Sequence, residues 1–476
     1  MEDLVQERSQ EHEREHHATA KALQIASRQS GGSSFKAYPF RQIQGNDVFA
    51  RLPREHRFDM EVVAQVLPFR VNQYVIDELI DWSNSDSDPI FRLVFPHRDM
   101  LPAADFEEMA ALLAKRATAA EIAALAERIR AGLNPHPAEQ TTLNVPQLDG
   151  EPMVGVQHKY HDTVLYFPAQ GQTCHSYCTF CFRWAQFVGK QHRFASPTVE
   201  RLYSYLAAHK EVSDLLVTGG DPMVMRTRKL AEQLNPLVDD PALDHVSTVR
   251  IGTKSLTFWP QRFVTDEDSD DLLRLFERLV RAGKHVAVMA HLSHWREMES
   301  SIFDEAVRRI RDTGAVIRSQ APLLAGINDD AGVWAEMWKR QVSKGIVPYY
   351  MFVERDTGAR DFFEVPLVRA HAIYAEAVGR VSGLARTARG PSMSCGPGKV
   401  EVSGTAEVGG EKVFVLNFIQ ARDVGWLKRP FFARFDPQAT WFDDLVPAFD
   451  DRDFFFSAAY AAMGRAGVGK GQEPVR

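Results

Sequence analysis

The chain has 476 residues, of which 45% are hydrophobic, and it carries a formal net charge of -7. This length and composition allow a large buried core and favour two or three domains. The negative charge and the absence of a Lys- and Arg-rich run argue against a nucleic-acid partner, because phosphate binding needs clustered cations. Since we find no long apolar run and no export signal, we expect no membrane contact and a cytoplasmic location.

The first segment, residues 1–34, is charged and polar and ends in a run of Ser and Gly. This composition predicts a flexible tail. Within it, His12, Glu13 and His16 form an H-E-x-x-H pattern, the signature of zinc proteases. That motif needs a buried amphipathic helix, whereas its flanks here are Glu, Arg and Gln. We therefore interpret the pattern as part of a solvated charged segment.

The next segment, residues 35–150, has a helical pattern. Apolar residues recur at three- and four-residue steps from Phe106 to Ile129, and Gly132 and Pro135 end the pattern. This periodicity predicts a helical N-terminal domain.

Residues 151–400 form the predicted core, in which short apolar segments alternate with amphipathic helical stretches. Six such repeats predict an α/β fold with a parallel sheet, closed or partly closed as a barrel. Chemistry in such a sheet lies at the carboxyl ends of the strands. The predicted strands are residues 163–167, 214–218, 247–252, 285–290, 315–319 and 347–353.

The last segment, residues 401–476, begins with two predicted strands around Gly409 and Gly410, which together predict a hairpin. The stretch that follows is rich in Phe, Trp and Asp. We expect this C-terminal extension to act either as a lid over the core or as a contact in a homo-oligomer, and the sequence leaves both open.

Three of the four cysteines, Cys174, Cys178 and Cys181, follow the first predicted strand in a C-x3-C-x2-C spacing. Thiolates this close on one loop can bind one iron–sulfur cluster. The fourth cysteine, Cys395, lies more than two hundred residues away, so the spacing favours a cluster with an open iron. The alternatives are a structural zinc with His175 as fourth ligand and three unligated thiols. A disulfide framework would leave one clustered cysteine unpaired.

Two further candidate binding features accompany the cysteine loop. One is a turn at the end of the second predicted strand, and the other is an arginine directly after the cysteines. The second predicted strand runs into Gly219, Gly220 and Asp221, where glycines allow a close backbone approach and the carboxylate can accept hydrogen bonds from an ammonium. A tight turn is the alternative. Arg183 follows Cys181 by two residues, and its guanidinium can bind a carboxylate through two parallel hydrogen bonds. The alternative for Arg183 is a surface charge.

The cysteine loop resembles that of radical S-adenosylmethionine (SAM) enzymes, and residues 85–400 resemble lysine 2,3-aminomutase and its relatives. The resemblance implies a partial parallel (β/α)6 radical SAM barrel and three cofactors, namely a [4Fe-4S] cluster, SAM and pyridoxal 5′-phosphate (PLP). It also implies an isomerase that moves the α-amino group of a free amino acid to the β-carbon, supplied with electrons by a donor such as flavodoxin or ferredoxin. The matching segments are VRIGTKSLTFWPQRF (249–263), HLSHWREM (291–298), SQAPLLAGIND (319–329) and VPYYMFV (347–353).

The resemblance also implies roles for single residues. Lys399, at the end of CGPGK, would form the Schiff base with PLP, and Arg183 would bind the α-carboxylate of the substrate. The glycine-rich run before the family's lysine is interrupted here by Cys395 and Pro397, so we expect a loop of different shape. The other implied contacts are Cys174, Cys178 and Cys181 with the cluster, Gly219, Gly220, Asp221, His291 and Gln320 with SAM, and Lys159 and Tyr160 with the pyridoxal.

The substrate is predicted from a departure from the family pattern. Lysine-specific relatives hold the distal ammonium with two aspartates, and the same counts from the PYY motif and from Lys399 reach Arg355 and Ser392. A guanidinium repels an ammonium and attracts a negative side chain. We therefore predict that the substrate is not lysine but glutamate or another non-basic amino acid. The adjacent Asp356 would take an ammonium instead if the loop is shifted by one residue.

The C-terminal region lacks the cysteines with which some relatives bind an interface zinc, so we predict no such zinc. A radical SAM enzyme of the same fold without PLP, in which Lys399 is structural, is a second hypothesis. A non-catalytic zinc-binding protein that uses the three cysteines and His175 is a third.

Overall fold

The computed structural model describes residues 35–468, without the side chains of Lys190 and of residues 465–468. The predicted tail, with its H-E-x-x-H pattern at His12, Glu13 and His16, lies outside the described residues. Among the described residues, 38–468 form one compact unit. No helix between residues 35 and 468 is long and apolar enough to cross a membrane.

A sheet of eleven strands, β5 to β15, forms the centre of this unit. The neighbouring strands β6 to β12 run parallel, antiparallel β5 flanks one edge, and antiparallel β13 to β15 extend the other. The strands in chain order are β1 (Ala37–Pro39), β2 (Arg70–Asn72), β3 (Gln147–Leu148), β4 (Glu151–Pro152), β5 (Val156–Tyr160), β6 (Thr163–Tyr166), β7 (Asp214–Val217), β8 (Thr248–Thr253), β9 (His285–His291), β10 (Val316–Leu323), β11 (Ile346–Val353), β12 (Arg389–Ser394), β13 (Gly398–Val408), β14 (Glu411–Ala421) and β15 (Phe431–Arg434).

Helices connect the parallel strands and cover one face of the sheet. Val249 and Ile251 of β8 are buried in the core beneath these helices, while the alternate residues Thr248 and Arg250 point to the opposite face, which we call the inner face. The α-helices of the described residues are, in chain order, α1 (Phe40–Ile43), α2 (Arg54–Val66), α3 (Pro89–Val94), α4 (Ala103–Ala114), α5 (Ala119–Gly132), α6 (Glu200–Ala208), α7 (Thr227–Leu234), α8 (Pro236–Asp239), α9 (Ser255–Phe258), α10 (Gln261–Val264), α11 (Ser269–Arg281), α12 (Ser301–Asp312), α13 (Ala331–Ser343), α14 (Arg360–Phe363), α15 (Leu367–Gly379) and α16 (Ser457–Val468).

The six predicted core strands correspond to β6 through β11, and the predicted hairpin corresponds to β13 and β14. A seventh parallel strand, β12, follows them. The sequence does not predict β12, because Gly390 and Pro391 interrupt its apolar pattern. The two ends of the sheet approach each other, since β5 contacts β14 and Lys159 of β5 donates a hydrogen bond to the carbonyl of Cys395 beside β13. Closure as a (β/α)6 barrel stays a prediction.

The N-terminal helices α1 to α5 pack against the loop that carries the clustered cysteines. Their apolar core includes Phe91 and Leu93 of α3 together with Phe180 and Trp184 of that loop. The helical pattern expected for this region is therefore present, and its buried face helps to position the cysteine loop.

The C-terminal segment packs on the strands that follow the predicted PLP lysine. Phe418 of β14, Phe431 of β15 and Phe456 lie in one aromatic cluster, with ring centroids 4.9 to 5.4 Å apart. Tyr460 of α16 lies so close to Gly396 that a β-carbon at residue 396 would collide with its hydroxyl. The C-terminal helix thus covers the turn before Lys399.

Candidate functional site

The cysteine loop follows β6, at the carboxyl ends of the parallel strands. Its backbone is held by the N-terminal region: Tyr177 N donates to the Arg70 carbonyl at 2.8 Å, and Thr179 N donates to the Leu93 carbonyl at 3.0 Å. The hydroxyl of Ser176 accepts a hydrogen bond from Asn72 N at 3.0 Å. These contacts fix the loop from outside the sheet.

The three clustered cysteines carry free thiols on this loop. Burial raises the pKa of Cys174 well above its usual range, and the nearby Asp221 carboxylate raises that pKa further. Burial also raises the pKa of Cys178, and it raises that of Cys181 to about 11. A bound cation is what would favour the thiolate forms.

The donor set fits an iron–sulfur cluster in kind and number, because such clusters are held by cysteine sulfur. The structure does not draw the thiols together, however: within residues 35–468, no group of three or more His, Cys, Asp or Glu side chains is positioned to hold a metal ion. His175 is the alternative zinc ligand. Its Nδ1 is hydrogen-bonded to the Ser255 hydroxyl at 2.8 Å. Burial lowers the pKa of His175 to about 3, so this ring is neutral and engaged with α9.

Gly219 and Gly220 are required by packing against the cysteine loop. At Gly219, which has a φ of 146°, a β-carbon would collide with the side chain of Gln172. At Gly220 it would collide with the backbone of Thr173. In addition, Asp221 N donates to the Thr173 carbonyl at 2.7 Å. The end of β7 and the start of the cysteine loop therefore form one tightly packed unit.

The carboxylate of Asp221 is satisfied by the protein itself. It accepts hydrogen bonds from the Thr253 hydroxyl (2.7 Å), the Ser255 hydroxyl (3.0 Å), Met223 N (2.9 Å) and Lys254 N (2.9 Å). A carboxylate offers about four lone-pair positions, so these donors fill it. Asp221 thus joins the ends of β7 and β8, and its direct contact with SAM stays a prediction.

His291 and Gln320 lie side by side in register at the ends of β9 and β10. The His291 ring stacks on Phe180 of the cysteine loop, with centroids 5.5 Å apart. Its Nδ1 is buried and has no hydrogen-bond partner, and burial lowers the pKa of His291 to about 3. A neutral ring with an unpaired buried nitrogen suits a polar group of a bound ligand.

Lys254 and Glu297 support the carboxyl end of β9, and neither residue is a candidate from the sequence alone. The Lys254 ammonium donates to a carboxylate oxygen of Glu297 at 2.5 Å and to the His291 carbonyl at 3.2 Å. Glu297 is fully buried and also accepts from Ser293 N at 2.6 Å. This buried ion pair fixes the end of β9, and no motif in the chain indicates that the two residues meet.

Lys399 lies at the start of β13 and is buried. Its Nζ donates to the side-chain oxygen of Gln420 at 2.9 Å and lies 3.9 Å from the centroid of the Tyr350 ring. Burial first, and then the positive charges of Arg250 and Arg389, lower the pKa of Lys399 well below the usual lysine range. A neutral buried amine is the form that can attack an aldehyde carbon.

Lys159 and Tyr160, at the end of β5, lie next to the Lys399 turn. Burial lowers the pKa of Lys159 to about 7, and its Nζ donates to the carbonyl of Cys395. Burial raises the pKa of Tyr160 above its usual range. The structure therefore brings together the residues for which the resemblance implies a contact with PLP, namely Lys159, Tyr160 and Lys399.

Arg183 is a partly buried cation on the cysteine loop. Its guanidinium carbon lies 4.2 Å from the centroid of the Phe167 ring and 4.9 Å from that of Phe182. Burial lowers the pKa of Arg183 to about 9. It also lines a small cavity of about 20 Å³ together with His136 and Gln157. These contacts with two aromatic rings distinguish Arg183 from an isolated surface charge.

Arg355 is a second, largely buried cation just beyond the end of β11, with its side chain 13% exposed. Its Nε and Nη2 are buried without hydrogen-bond partners, and its guanidinium carbon lies 5.3 Å from the centroid of the Phe182 ring. The Asp356 carboxylate is 3.5 Å from Nε, although that pair makes no hydrogen bond. Burial raises the pKa of the neighbouring Glu354 well above its usual range, which favours the neutral acid.

Ser392 is held by a hydrogen bond within the protein, whereas one carboxylate oxygen of Asp356, Oδ1, is buried without a hydrogen-bond partner. The Ser392 hydroxyl is fully buried within β12 and donates to the Met351 carbonyl at 3.4 Å. Asp356 accepts from the Asn134 side-chain amide at 3.3 Å. A substrate-binding role for Ser392 stays a prediction, and Arg355 has the unpaired donors.

No protein-family model matches the chain. The chain is 32% identical over 396 residues to an Aquifex aeolicus protein named "Putative L-lysine 2,3-aminomutase", which covers 83% of this chain and 92% of that protein. It is 27% identical to the L-lysine 2,3-aminomutase of Escherichia coli K12, over 54% of this chain and 68% of that one. It is 29% identical to the glutamate 2,3-aminomutase of Clostridioides difficile, over 44% and 47%.

Among solved structures, a partial match is to Streptococcus suis SuiB bound to S-adenosylmethionine, with a TM-score of 0.32, 13% identity and 56% of each chain covered. The class of the protein is defined by its sequence relatives and not by the match to SuiB. These relatives are amino-acid 2,3-aminomutases, which are isomerases. The chain belongs to the L-lysine 2,3-aminomutase family. The resemblance drawn from the sequence motifs is thereby confirmed.

Proposed function

We propose that the protein is a radical SAM, PLP-dependent 2,3-aminomutase that acts on a free amino acid with an acidic side chain. The single observation that carries this proposal is the buried Lys399, whose amine lies 3.9 Å from the Tyr350 ring centroid and has a pKa lowered by burial, in a member of the aminomutase family. When bound, the cluster and SAM would supply the radical that takes up a β-hydrogen, and PLP would carry the migrating nitrogen.

At the cluster end, Cys174, Cys178 and Cys181 would hold the iron–sulfur cluster, and His291 and Gln320 would bind SAM. The unpaired Nδ1 of His291 beside the cysteine loop supports this assignment. The glycine pair at Gly219 and Gly220 would hold the loop against β7. Reducing electrons would come from a small carrier such as flavodoxin or ferredoxin.

At the PLP end, Lys399 would bind the cofactor covalently, and Lys159 and Tyr160 would contact it. The aromatic side chains of Tyr350 and Phe352 lie 3.9 and 5.2 Å from Lys399 Nζ, and they exclude water from the amine. Exclusion of water keeps the lysine neutral and protects a reactive centre from side reactions.

For the substrate, Arg183 would bind the α-carboxylate and Arg355 the side-chain carboxylate. The support is that Arg355 is buried with two nitrogens lacking a hydrogen-bond partner, and a buried donor without a partner costs free energy. A carboxylate satisfies both nitrogens, whereas an ammonium adds repulsion. Asp356 reduces the local positive charge: its Oδ2 accepts from Asn134, while its buried Oδ1 has no hydrogen-bond partner, so Asp356 stays the alternative partner for an ammonium.

The proposal is tested by trapping the cofactor. The PLP-loaded protein is reduced with borohydride and digested, and the pyridoxyl-labelled peptide is identified by mass spectrometry. We expect the label on Lys399 in the wild type and in Lys159→Ala, and no label on Lys399→Ala. A label on Lys159 or Lys254, or none on a PLP-replete protein, would overturn the PLP assignment and favour a PLP-free radical SAM enzyme.

A further inference from the structure

A cavity of about 440 Å³ lies at the amino-terminal ends of the parallel strands, away from the cysteine loop. Because residues from six neighbouring strands or the segments before them line it, the inner face of the sheet curves around it. We call it the arginine cavity. Its lining residues include Arg250 of β8, Arg318 of β10, Tyr349 of β11, Thr387 and Arg389 of β12, with Asp214 of β7 and His285 of β9.

The charges in the arginine cavity are unbalanced. Asp214 is occupied by Arg250, with one hydrogen bond of 2.8 Å from Nε and a second from Nη2. Within residues 35–468, neither Arg318 nor Arg389 has a carboxylate within 4.0 Å. Three guanidinium groups and one carboxylate leave a net charge of +2, without counting His285. A cavity with two uncompensated guanidinium groups attracts an anion.

Aromatic rings hold the two uncompensated arginines in place. The Arg389 guanidinium carbon lies 4.5 Å from the Tyr349 ring centroid and 4.3 Å from that of Tyr350, and Arg318 lies 5.4 Å from Tyr349. These cation–π contacts restrict the positions of the two guanidinium groups before a ligand arrives. Tyr349 also lines the cavity, whereas the Thr387 hydroxyl donates to the Pro348 carbonyl at 2.7 Å.

The cavity begins close to Lys399. Lys399 Nζ lies 3.9 Å and Arg389 Cζ 4.3 Å from the same ring centroid of Tyr350, so the two groups are at most 8.2 Å apart. The positive charges of Arg250 and Arg389 also lower the pKa of Lys399. A molecule attached to Lys399 therefore has an anion-binding region within short reach, on the side away from the cysteines.

We infer that the arginine cavity binds a phosphomonoester dianion through Arg318 and Arg389. Guanidinium groups bind phosphate through parallel hydrogen bonds. The phosphate arrives either as part of PLP held at Lys399, a source that rests on the proposed function, or as a separate phosphate ligand. Arg250 is less suited to bind it, because its guanidinium is already paired with Asp214.

The test measures the affinity of the full-length, dialysed protein for three probes: PLP, pyridoxal (which lacks the phosphate) and inorganic phosphate. Absorbance titration reports PLP and pyridoxal, and calorimetry reports phosphate. The variants are Arg318→Gln, Arg389→Gln and the charge-retaining Arg389→Lys. The matched control is Arg281→Gln, whose side chain is 79% exposed on α11.

If PLP supplies the phosphate, each Gln variant should weaken PLP binding about ten- to hundredfold and leave pyridoxal binding unchanged. Arg389→Lys should lose less than Arg389→Gln. If a separate phosphate is the ligand, phosphate binding should weaken by a similar factor while PLP binding stays constant.

The inference is overturned if both Gln variants keep wild-type affinities for PLP and for phosphate. It is also overturned if pyridoxal binding falls as much as PLP binding, since that would indicate a damaged Lys399 pocket. Borohydride labelling of Lys399 in the wild type tests the proposed function separately, so the two failures are distinguishable.

Discussion

Lys399 Nζ lies 3.9 Å from the centre of the Tyr350 ring, across the inner face between β13 and β11. This contact joins the antiparallel extension of the sheet to its parallel part. The lysine is buried, has one hydrogen bond to Gln420 at 2.9 Å, and has arginines rather than carboxylates among its charged neighbours. Each of these features favours the neutral amine.

The first prediction concerns the pH dependence of stability. An unfolded lysine has a pKa of about 10.4, and burial lowers the pKa of folded Lys399 well below that, so between the two pKa values the unfolded chain binds a proton that folded Lys399 does not. Between the folded and unfolded pKa values, Lys399 therefore makes the cofactor-free protein more stable with rising pH, by about 1.4 kcal/mol per pH unit. Lys399→Met removes this dependence, so the variant should be more stable than the wild type at pH 7.

The advantage of Lys399→Met should shrink toward pH 9. Urea unfolding of the cofactor-free proteins at pH 7, 8 and 9 measures it. The exposed Lys339→Met variant is the control for the general loss of a lysine. A stability difference that stays constant over this pH range would show that Lys399 is charged in the folded protein.

The second prediction concerns the metal ligands. After anaerobic reconstitution, Cys178→Ala should lose the cluster and SAM cleavage, because only three cysteines lie on the loop. Cys395→Ala should keep the iron content, since Cys395 is buried near Lys159 and its thiol lies 3.4 Å from the Gly398 carbonyl. Iron and acid-labile sulfide are measured. A full iron complement in Cys178→Ala, or zinc without sulfide in the wild type, would contradict the assignment.

The third prediction concerns the packing of the cysteine loop on β7. In Gly220→Ala the new β-carbon would lie 2.6 Å from Thr173 N, so the loop must shift. Overpacking of this kind costs about 1–3 kcal/mol, and we expect lower cluster occupancy and weaker SAM binding. Gly379→Ala is the matched control, because a β-carbon at the end of α15 meets no atom within 4 Å. Equal cluster occupancy in both variants would show that the glycine is not needed.

The fourth prediction concerns substrate choice. Facing an ammonium with the buried Arg355 guanidinium costs several kcal/mol, so glutamate should be preferred over lysine by roughly a thousandfold in kcat/KM. Arg355→Asp should reduce glutamate turnover and raise that of lysine. Arg228→Asp, on a side chain that is 84% exposed, is the control. Competition assays with both amino acids measure the ratio, and an unchanged ratio in Arg355→Asp would remove Arg355 from the substrate pocket.

Strands β6 to β11 could be predicted because each is a short apolar segment followed by an amphipathic helix. Strand β12 could not be, since Gly390 and Pro391 break the pattern and the strand is stabilised by its neighbours. The same holds for β5, whose polar residues Gln157 to Lys159 give no apolar alternation. Tertiary pairing overrides local preference in both strands.

The candidate site was likewise predictable from the sequence only in part. The cysteine spacing and the glycine pair are local patterns, so the sequence alone indicates them. The partners of Asp221 come from Thr253 to Ser255, on the next strand, and no spacing rule predicts that they fill its carboxylate. Arg318 and Arg389 lie on different strands, and only the curvature of the sheet brings them to one cavity.

The most direct test of the proposed function is product analysis with the reconstituted enzyme. Protein loaded anaerobically with cluster, SAM and PLP is reduced and incubated with each common amino acid, and β-amino isomers are sought by mass spectrometry. The proposal predicts a β-isomer from an acidic amino acid, lost in Lys399→Ala and in Cys178→Ala. The absence of a β-isomer from every amino acid, in protein with full cluster and PLP occupancy, would contradict it.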